Sequence, residues 1–566
     1  MSGLVVSPFD GQRYIGSVCS VRPATVEINL PLASFPNGTH VAGYLLQRGQ
    51  VGEFVVIEGE EHAVLGRLIE TRLPERERLT VEPTYEGDGR PNPVGIVQLL
   101  TAIDLTNGFA LRGVPLAPRI GQHVFSAHPL VIKQVVESGR TPEDRRIRLA
   151  SFPHARDTMV SLSPSHLLGR HCAILGATGG GKSWTLALLV EEVVRLRGKA
   201  ILFDATGEFN TQDAPGVTHV YLGGRRTAAA DPRRFLSFPY WQLTESDLFV
   251  LLRPSPGVQA PKLKEALRSL KVAHLVPALA HDGRIQKSGQ PRQPFEAACV
   301  RHALELNRPG TYFDISLLSD QIWEECVYPN GFGNAAGNWG AATQNEQSAC
   351  VTLLSRIESE LASPNLECLF APAGLESLPN VINEFLADVN QRVLRISLEF
   401  LSFEHNAREV VANAVGRYLL ALAREGHFLQ MPTVLMLDEA HQFLDKSVGD
   451  EFSRTDLDAF GLIAKEGRKY SLTCVLSTQR PRDIPEDVLS QMGMFIVHRL
   501  INERDRTVVE KACGDLDASA ASFLPTLGQG EAMVVGVSSP MPLPVSICRP
   551  RRPPSSQSAN YEALWG

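Results

Sequence analysis

The stretch HCAILGATGGGKSWTLALLVEEVVRLR, residues 171–197, decides the fold. Cys172 to Leu175 is a short continuous apolar run, as expected of a strand buried on both faces of a parallel sheet. A run of glycines follows, and apolar residues then recur at helical spacing. Strand, glycine-rich turn and helix is the local pattern of wound α/β proteins. In Gly176-Ala-Thr178-Gly179-Gly180-Gly181-Lys182-Ser183 the glycines let successive backbone N–H groups turn inward around phosphates. The lysine reaches the β- and γ-phosphates, and the serine hydroxyl is placed to ligate Mg2+. Gly176, Thr178, Gly179, Gly180, Gly181, Lys182, Ser183 and Trp184 are therefore the candidate nucleotide-binding residues, with ATP and Mg2+ as the expected cofactors.

Outward from this stretch, KAILFD (199–204), RVLRISL (392–398), TVLMLD (433–438), LTCVLS (472–477) and MFIVH (494–498) read as further strands of the same sheet. TVLMLDEAH ends in two adjacent acids. Asp438 is expected to hold the Mg2+ and its water shell, and Glu439 to polarise the attacking water. Asp204-Ala-Thr-Gly207-Glu208-Phe209 brings two more carboxylates to a strand end, where ligands bind in open α/β sheets. They stand either near the metal or as an acidic turn capping a helix. Gln479, in Ser477-Thr478-Gln479-Arg480-Pro481, suits a γ-phosphate sensor because an amide can contact both phosphate and water. Arg468, in AKEGRKY, and Arg170, six residues before the P-loop, are candidates for a finger inserted into a neighbouring subunit's site. Arg225, Arg226, Arg233 and Arg234 either line a DNA channel or form a solvated face. His441 reads as a structural or coupling residue, since no second His or Cys stands at ligand spacing.

At 566 residues the chain is several times the usual domain length of about 150. Residues 12–80 are short strand-like segments broken by turns, which suggests a small β-barrel. GIVQLLTAI and HVFSAHPLVI add further strand-like pieces, and EDRRIRLA (143–150) reads as a connector. The expected organisation is a barrel over 1–150, the first part of an ATPase core over 151–240, a helical insert over 241–385, the second part of the core over 386–550 and a flexible tail over 551–566. Within the insert, NGFGNAAGNWGAA (330–342) reads as a flexible loop.

Composition bounds the rest. With 55 basic against 62 acidic residues, the net charge of −7 excludes a surface that is basic all over, though not a locally basic channel. The nine cysteines are dispersed without a C-x-x-C pair, which points to reduced thiols rather than a zinc site or disulfide framework. No apolar run reaches the 18 or so residues of a membrane span, so a cytoplasmic protein without a membrane partner is expected.

Taken in order, the barrel, GATGGGKS, D-x-x-GEF, the helical insert, LMLDEAH, AKEGRKY, STQRP and the closing pair GEAMVVG and PLPVSI resemble the HerA family of ring-shaped DNA-translocating ATPases, related to the FtsK motors. The resemblance implies a RecA-like P-loop core, an N-terminal barrel and an inserted helical subdomain. It implies a homo-hexamer with double-stranded DNA through its pore and ATP hydrolysis driving movement. Lys182, Ser183, Asp438, Glu439 and Gln479 inherit the roles within one subunit, and Arg468 and Arg170 the candidate roles across subunits. The barrel becomes a docking face for a NurA-like nuclease. In bacterial relatives the partner is a defence effector, such as a sirtuin-like NAD hydrolase or another nuclease, and 44 Arg against 11 Lys leans towards that setting. The alternative is a hexameric scaffold, switched by ATP, that assembles and activates an effector in anti-phage defence.

Overall fold

The computed structural model describes residues 4–31, 39–41, 44–46, 49–74, 92–111, 113–137, 141–224, 233–372, 374–402, 404–444, 447–449, 454–516 and 518–555. The chain forms two compact units, residues 1–196 with 474–553 and residues 197–473 with 554–566.

The first unit opens with a closed antiparallel barrel of six strands. In spatial order these are Thr25–Asn29, Tyr14–Val21, His123–Ser126, Phe54–Ile57, His62–Arg72 and Val94–Asp104, and the last pairs back onto the first. Ile15, Val18, Val26, Ile28, Val55, Ile57, Leu68, Val97 and Val124 fill its interior. Closure leaves no unpaired strand edge in the ring. HVFSAHPLVI is not one strand. His128 accepts the N–H of Leu130 at 3.2 Å, and Pro129 starts a helix, Pro129–Val136, because its fixed φ and missing N–H suit a first helical position.

The rest of this unit is a sheet in the order Ala155–Leu162, Ile147–Phe152, Leu543–Ile547, Glu531–Gly536, Met494–His498, Cys172–Leu175 and Leu472–Thr478. Cys172–Leu175 runs parallel to both of its neighbours, and the other pairings are antiparallel. The segment read as a connector at 143–150 therefore contributes most of a strand. Helix Lys182–Arg195 follows the glycine-rich turn, with Leu186, Ala187, Leu189, Val190 and Val193 buried.

The second unit is built on a parallel sheet in the order Thr433–Leu437, Lys199–Asp204, Val393–Phe400, Val217–Gly223, Phe235–Ser237 and Glu376–Ser377. Between Phe235–Ser237 and Glu376–Ser377 the chain makes the helical subdomain, whose longest members are Gln259–Leu275 and Gln344–Leu361. The mixed α/β core, barrel and helical insert expected from the sequence are all present. The stretch 330–342 is held rather than loose. Tyr328 N–H donates to Ala341 O and Gly331 N–H to Asn338 O, both at 3.0 Å, while Trp339 packs edge-on against Phe295. The Lys287 ammonium lies over both rings, so the aromatic content of this segment outweighs its glycines.

Candidate nucleotide site

In the first unit the turn after Cys172–Leu175 has the conformation that glycine alone adopts without strain. Gly179 and Gly181 have φ of 75° and 113°, and at Gly176 a Cβ would lie 2.6 Å from the Cβ of His498. Nothing lies within 4 Å of the position a Cβ would take on Gly179, so the outer face of the cradle is open. Lys182 is buried, and its Nζ donates to Ala177 O at 3.1 Å, which folds the ammonium over the turn. Ser183 and Trp184 follow on the first helical turn, both half-buried.

Two supports hold this turn. Parallel register sets Leu175 beside Thr478, so Gln479 emerges next to the cradle and accepts a hydrogen bond from the exposed Thr178 hydroxyl at 2.5 Å. The second support is His498, which the sequence reading passed over. Its Nδ1 lies 3.0 Å from Glu531 O, an atom that can only accept, so Nδ1 carries the proton. Nε2 then accepts from the Thr185 hydroxyl at 2.9 Å. Burial drives the imidazole pKa down to about 4, and the nearby charge of Lys182 acts in the same direction. A neutral ring therefore braces the turn without adding a second cation beside Lys182. The one available signal was a polar residue closing an otherwise apolar strand, MFIVH.

In the second unit Thr433–Leu437 delivers Asp438 and Glu439 to the carboxyl edge of the sheet. Asp438 is buried, and its pKa is raised well above the ordinary value, first by burial and then by the charges of Asp204, Glu439 and Glu208. Glu439 is a non-glycine residue in the left-handed region, with φ and ψ both 47°. Residues held in that conformation concentrate at functional sites. Its carboxylate lies 3.2 Å from His441 Nδ1.

Asp204 is not offered to a ligand. Its Oδ1 accepts the N–H of Gly207 at 2.8 Å and its Oδ2 that of Phe209 at 3.0 Å, while Arg395 Nε donates to Oδ2 at 2.7 Å. Both side chains are fully buried, so of the two readings of the D-x-x-GEF segment Asp204 takes the structural one, as the anchor of its turn. Arg395 sits inside the apolar strand Val393–Phe400, where a lone arginine was the overlooked signal.

The arginines divide. Arg170 is exposed two residues ahead of Cys172–Leu175, at the strand end opposite the glycine turn. Arg468 is likewise exposed, ahead of the strand Leu472–Thr478. Neither makes an ion pair among the described residues. Arg225 and Arg226 lie outside the described residues. Arg233 stacks over Phe235 and Phe400 at 5.3 and 5.2 Å, and Arg234 is paired with Glu376 at 2.6 Å, so both serve local packing.

Each half fits the group it would hold. The open, cation-bearing cradle of the first unit fits a polyphosphate. In the second, Asp438 and Glu439 at the strand end are carboxylates, the hard oxygen donors that a divalent cation takes. No three His, Cys, Asp or Glu among the described residues are arranged to hold a metal alone.

Comparison with known proteins adds the following. The family described as Helicase HerA, central domain, matches residues 147–287, and that described as Helicase HerA-like C-terminal matches residues 422–561. A probable helicase of Methanocaldococcus jannaschii is 35% identical over 403 residues, 69% of this chain and 68% of that protein. The DNA double-strand break repair helicase HerA of Saccharolobus solfataricus is 24% identical over 452 residues, 78% of this chain and 75% of that protein. Among solved structures, the bacterial conjugative coupling protein TrwB is 14% identical with a TM-score of 0.42, covering 76% of this chain and 93% of that one.

Proposed function

This chain belongs to the HerA helicase family, and from that premise we propose that it is an ATPase that drives a ring of six subunits along double-stranded DNA. The observation that carries the reading is the glycine cradle: an open phosphate site with Lys182 folded over it, Gln479 bonded to its Thr178, and a neutral His498 beneath. Relatives named as double-strand break repair helicases supply the DNA half of the reading.

In this reading the backbone N–H groups of Gly179 to Ser183, with Lys182, bind the β- and γ-phosphates. Ser183 and Asp438 would hold Mg2+, which supplies charge neutralisation of the phosphates when bound. Glu439, directly after the strand Thr433–Leu437 and Asp438, accepts a proton from the attacking water. Gln479 orients the water and reports the γ-phosphate to Thr178. Arg468 and Arg170, exposed and without ion-pair partners among the described residues, supply the finger from a neighbouring subunit. The barrel is the docking face for a nuclease or defence effector, as the family resemblance implies.

The test is steady-state ATP hydrolysis with and without linear duplex DNA, using Lys182→Ala as the blank. Stimulation by DNA that disappears in the blank is expected. A DNA-independent rate would remove the motor reading and leave the ATP-switched scaffold, in which Glu439→Gln, trapped with ATP, would keep its effector active. Mixing Arg468→Ala with Lys182→Ala subunits should restore composite sites. No rescue in intact rings would remove Arg468 from the role across subunits.

A further inference from the structure

After the last strand, Leu543–Ile547, the chain turns back along the P-loop helix. Cys548 N–H donates to Leu149 O at 3.1 Å, and the backbone N–H groups of Arg551 and Arg552 donate to the two carboxylate oxygens of Glu191 at 3.0 and 2.7 Å. Hydrogen bonds to a carboxylate are among the stronger ones available to a backbone. Glu191 stands seven residues beyond Trp184, on the same face of the helix two turns on. The anchors on either side therefore hold Arg549 against the first turn, and its guanidinium lies 5.2 Å from the centroid of the Trp184 ring. Arg549 is exposed and has no acidic partner among the described residues, while Trp184 is half-buried and immediately follows Ser183.

A cation held between backbone anchors on either side, stacked on an indole and without an acidic partner among the described residues, is poised for a ligand. A nucleoside triphosphate whose phosphates fill residues 176–183 carries its ribose and base past the α-phosphate, alongside the first helical turn. The base is planar and rich in acceptors, and both an indole ring and a guanidinium plane take such a partner by stacking. We propose that Trp184 and Arg549 together form the base subsite of this ATPase, with Arg549 setting affinity for the nucleoside rather than for the phosphates. This rests on the nucleotide reading given above.

The discriminating probe is inorganic tripolyphosphate, which fills a phosphate cradle but has no base. Affinities for ATP and for tripolyphosphate, both with Mg2+, are measured on the full chain and on Arg549→Ala, Arg549→Lys, Trp184→Phe and Lys182→Ala. Arg549→Ala is expected to weaken ATP about tenfold and tripolyphosphate by less than about twofold. Arg549→Lys, which keeps the charge but not the plane, recovers little of the loss, and Trp184→Phe falls between. Equal losses for both ligands would make Arg549 a structural support of the cradle, and full recovery by lysine would make it a phosphate contact. Either result, or no loss at all, overturns the proposal. If the unsubstituted protein binds neither ligand, it is the nucleotide reading that fails. If it binds both, and only Lys182→Ala is impaired, that reading stands and this inference alone falls.

Discussion

Acidification tests whether His498 supports the P-loop as a neutral ring. The imidazole has its ordinary pKa of 6.5 in the unfolded chain and is pushed to about 4 in the fold. Because the folded value is the lower one, the stabilisation is fully present above pH 6.5 and is lost as pH falls towards 4. The full gap is worth about 3 kcal/mol, and linkage places about 2 kcal/mol of it between pH 8 and pH 5. In a unit of this size that corresponds to a fall of roughly 4–8 °C in Tm. Carboxylates titrate over the lower part of this range, so the measurement is a difference. Urea unfolding of the unsubstituted protein and of His498→Gln is followed at pH 8, 6 and 5 with a probe in the P-loop unit. The variant gives up bonds to Thr185 and Glu531 and starts less stable, by about 1–3 kcal/mol. Its deficit should shrink by about 2 kcal/mol as the pH is lowered, since only the unsubstituted protein pays for protonation. A deficit that stays constant from pH 8 to pH 5 would refute a buried neutral histidine beneath the turn.

Other outcomes follow from the same site. Glu439→Gln should bind ATP and turn it over at least about 100-fold more slowly, and a rate within a few-fold of the unsubstituted protein in single-turnover assays would remove Glu439 as the base. Asp438→Asn should raise the Tm of the nucleotide-free protein while abolishing turnover, because it removes a buried carboxylate crowded by three acids; a lowered Tm would contradict that crowding. Arg395→Met leaves Asp204 buried without its partner and should cost about 3–5 kcal/mol by urea denaturation, whereas Arg395→Met with Asp204→Asn should recover part of that loss; strict additivity would show that the pair is not coupled.

What the sequence disclosed and what it hid follow from sequence distance. The cradle from Gly176 to Ser183 is local, and its glycines stand where the backbone needs them, so spacing alone revealed it. The position of Asp438 and Glu439 at a strand end was legible because an apolar strand ending in acids needs no partner to be recognised. His498 was hidden because its meaning lies in three contacts that only the fold assembles, to Gly176, Thr185 and Glu531, the first two more than 300 residues away in the chain. Arg395 was hidden for the same reason: beside Asp204 it completes a turn, and apart from it the residue is an anomaly in a strand. Glycine content misled at 330–342, where one tryptophan against Phe295 and Lys287 orders the segment. Proline decided HVFSAHPLVI, where apolar character alone suggested a longer strand.

Burial pushes one titratable group in each unit towards its neutral form, and that has a thermodynamic consequence. On the first, His498 is kept uncharged beside buried Lys182, so the cradle is set for anionic phosphate without like-charge crowding. On the second, Asp438 is pushed towards its protonated form first by burial and then by the charges of Asp204, Glu439 and Glu208, and the backbone of Glu439 is in a conformation that costs of order 1–3 kcal/mol for a non-glycine residue. These costs are borne by the nucleotide-free protein. Binding of Mg2+ at Asp438 would favour the ionised carboxyl, so loading with Mg2+ and ATP should release a proton, and nucleotide affinity should rise with pH until Asp438 is ionised unaided. Titration calorimetry in buffers of different ionisation enthalpy reads that proton directly. A binding enthalpy that does not change with the buffer would mean that Asp438 is already charged in the empty protein, and that the crowding of the four acids is relieved by something other than the cation.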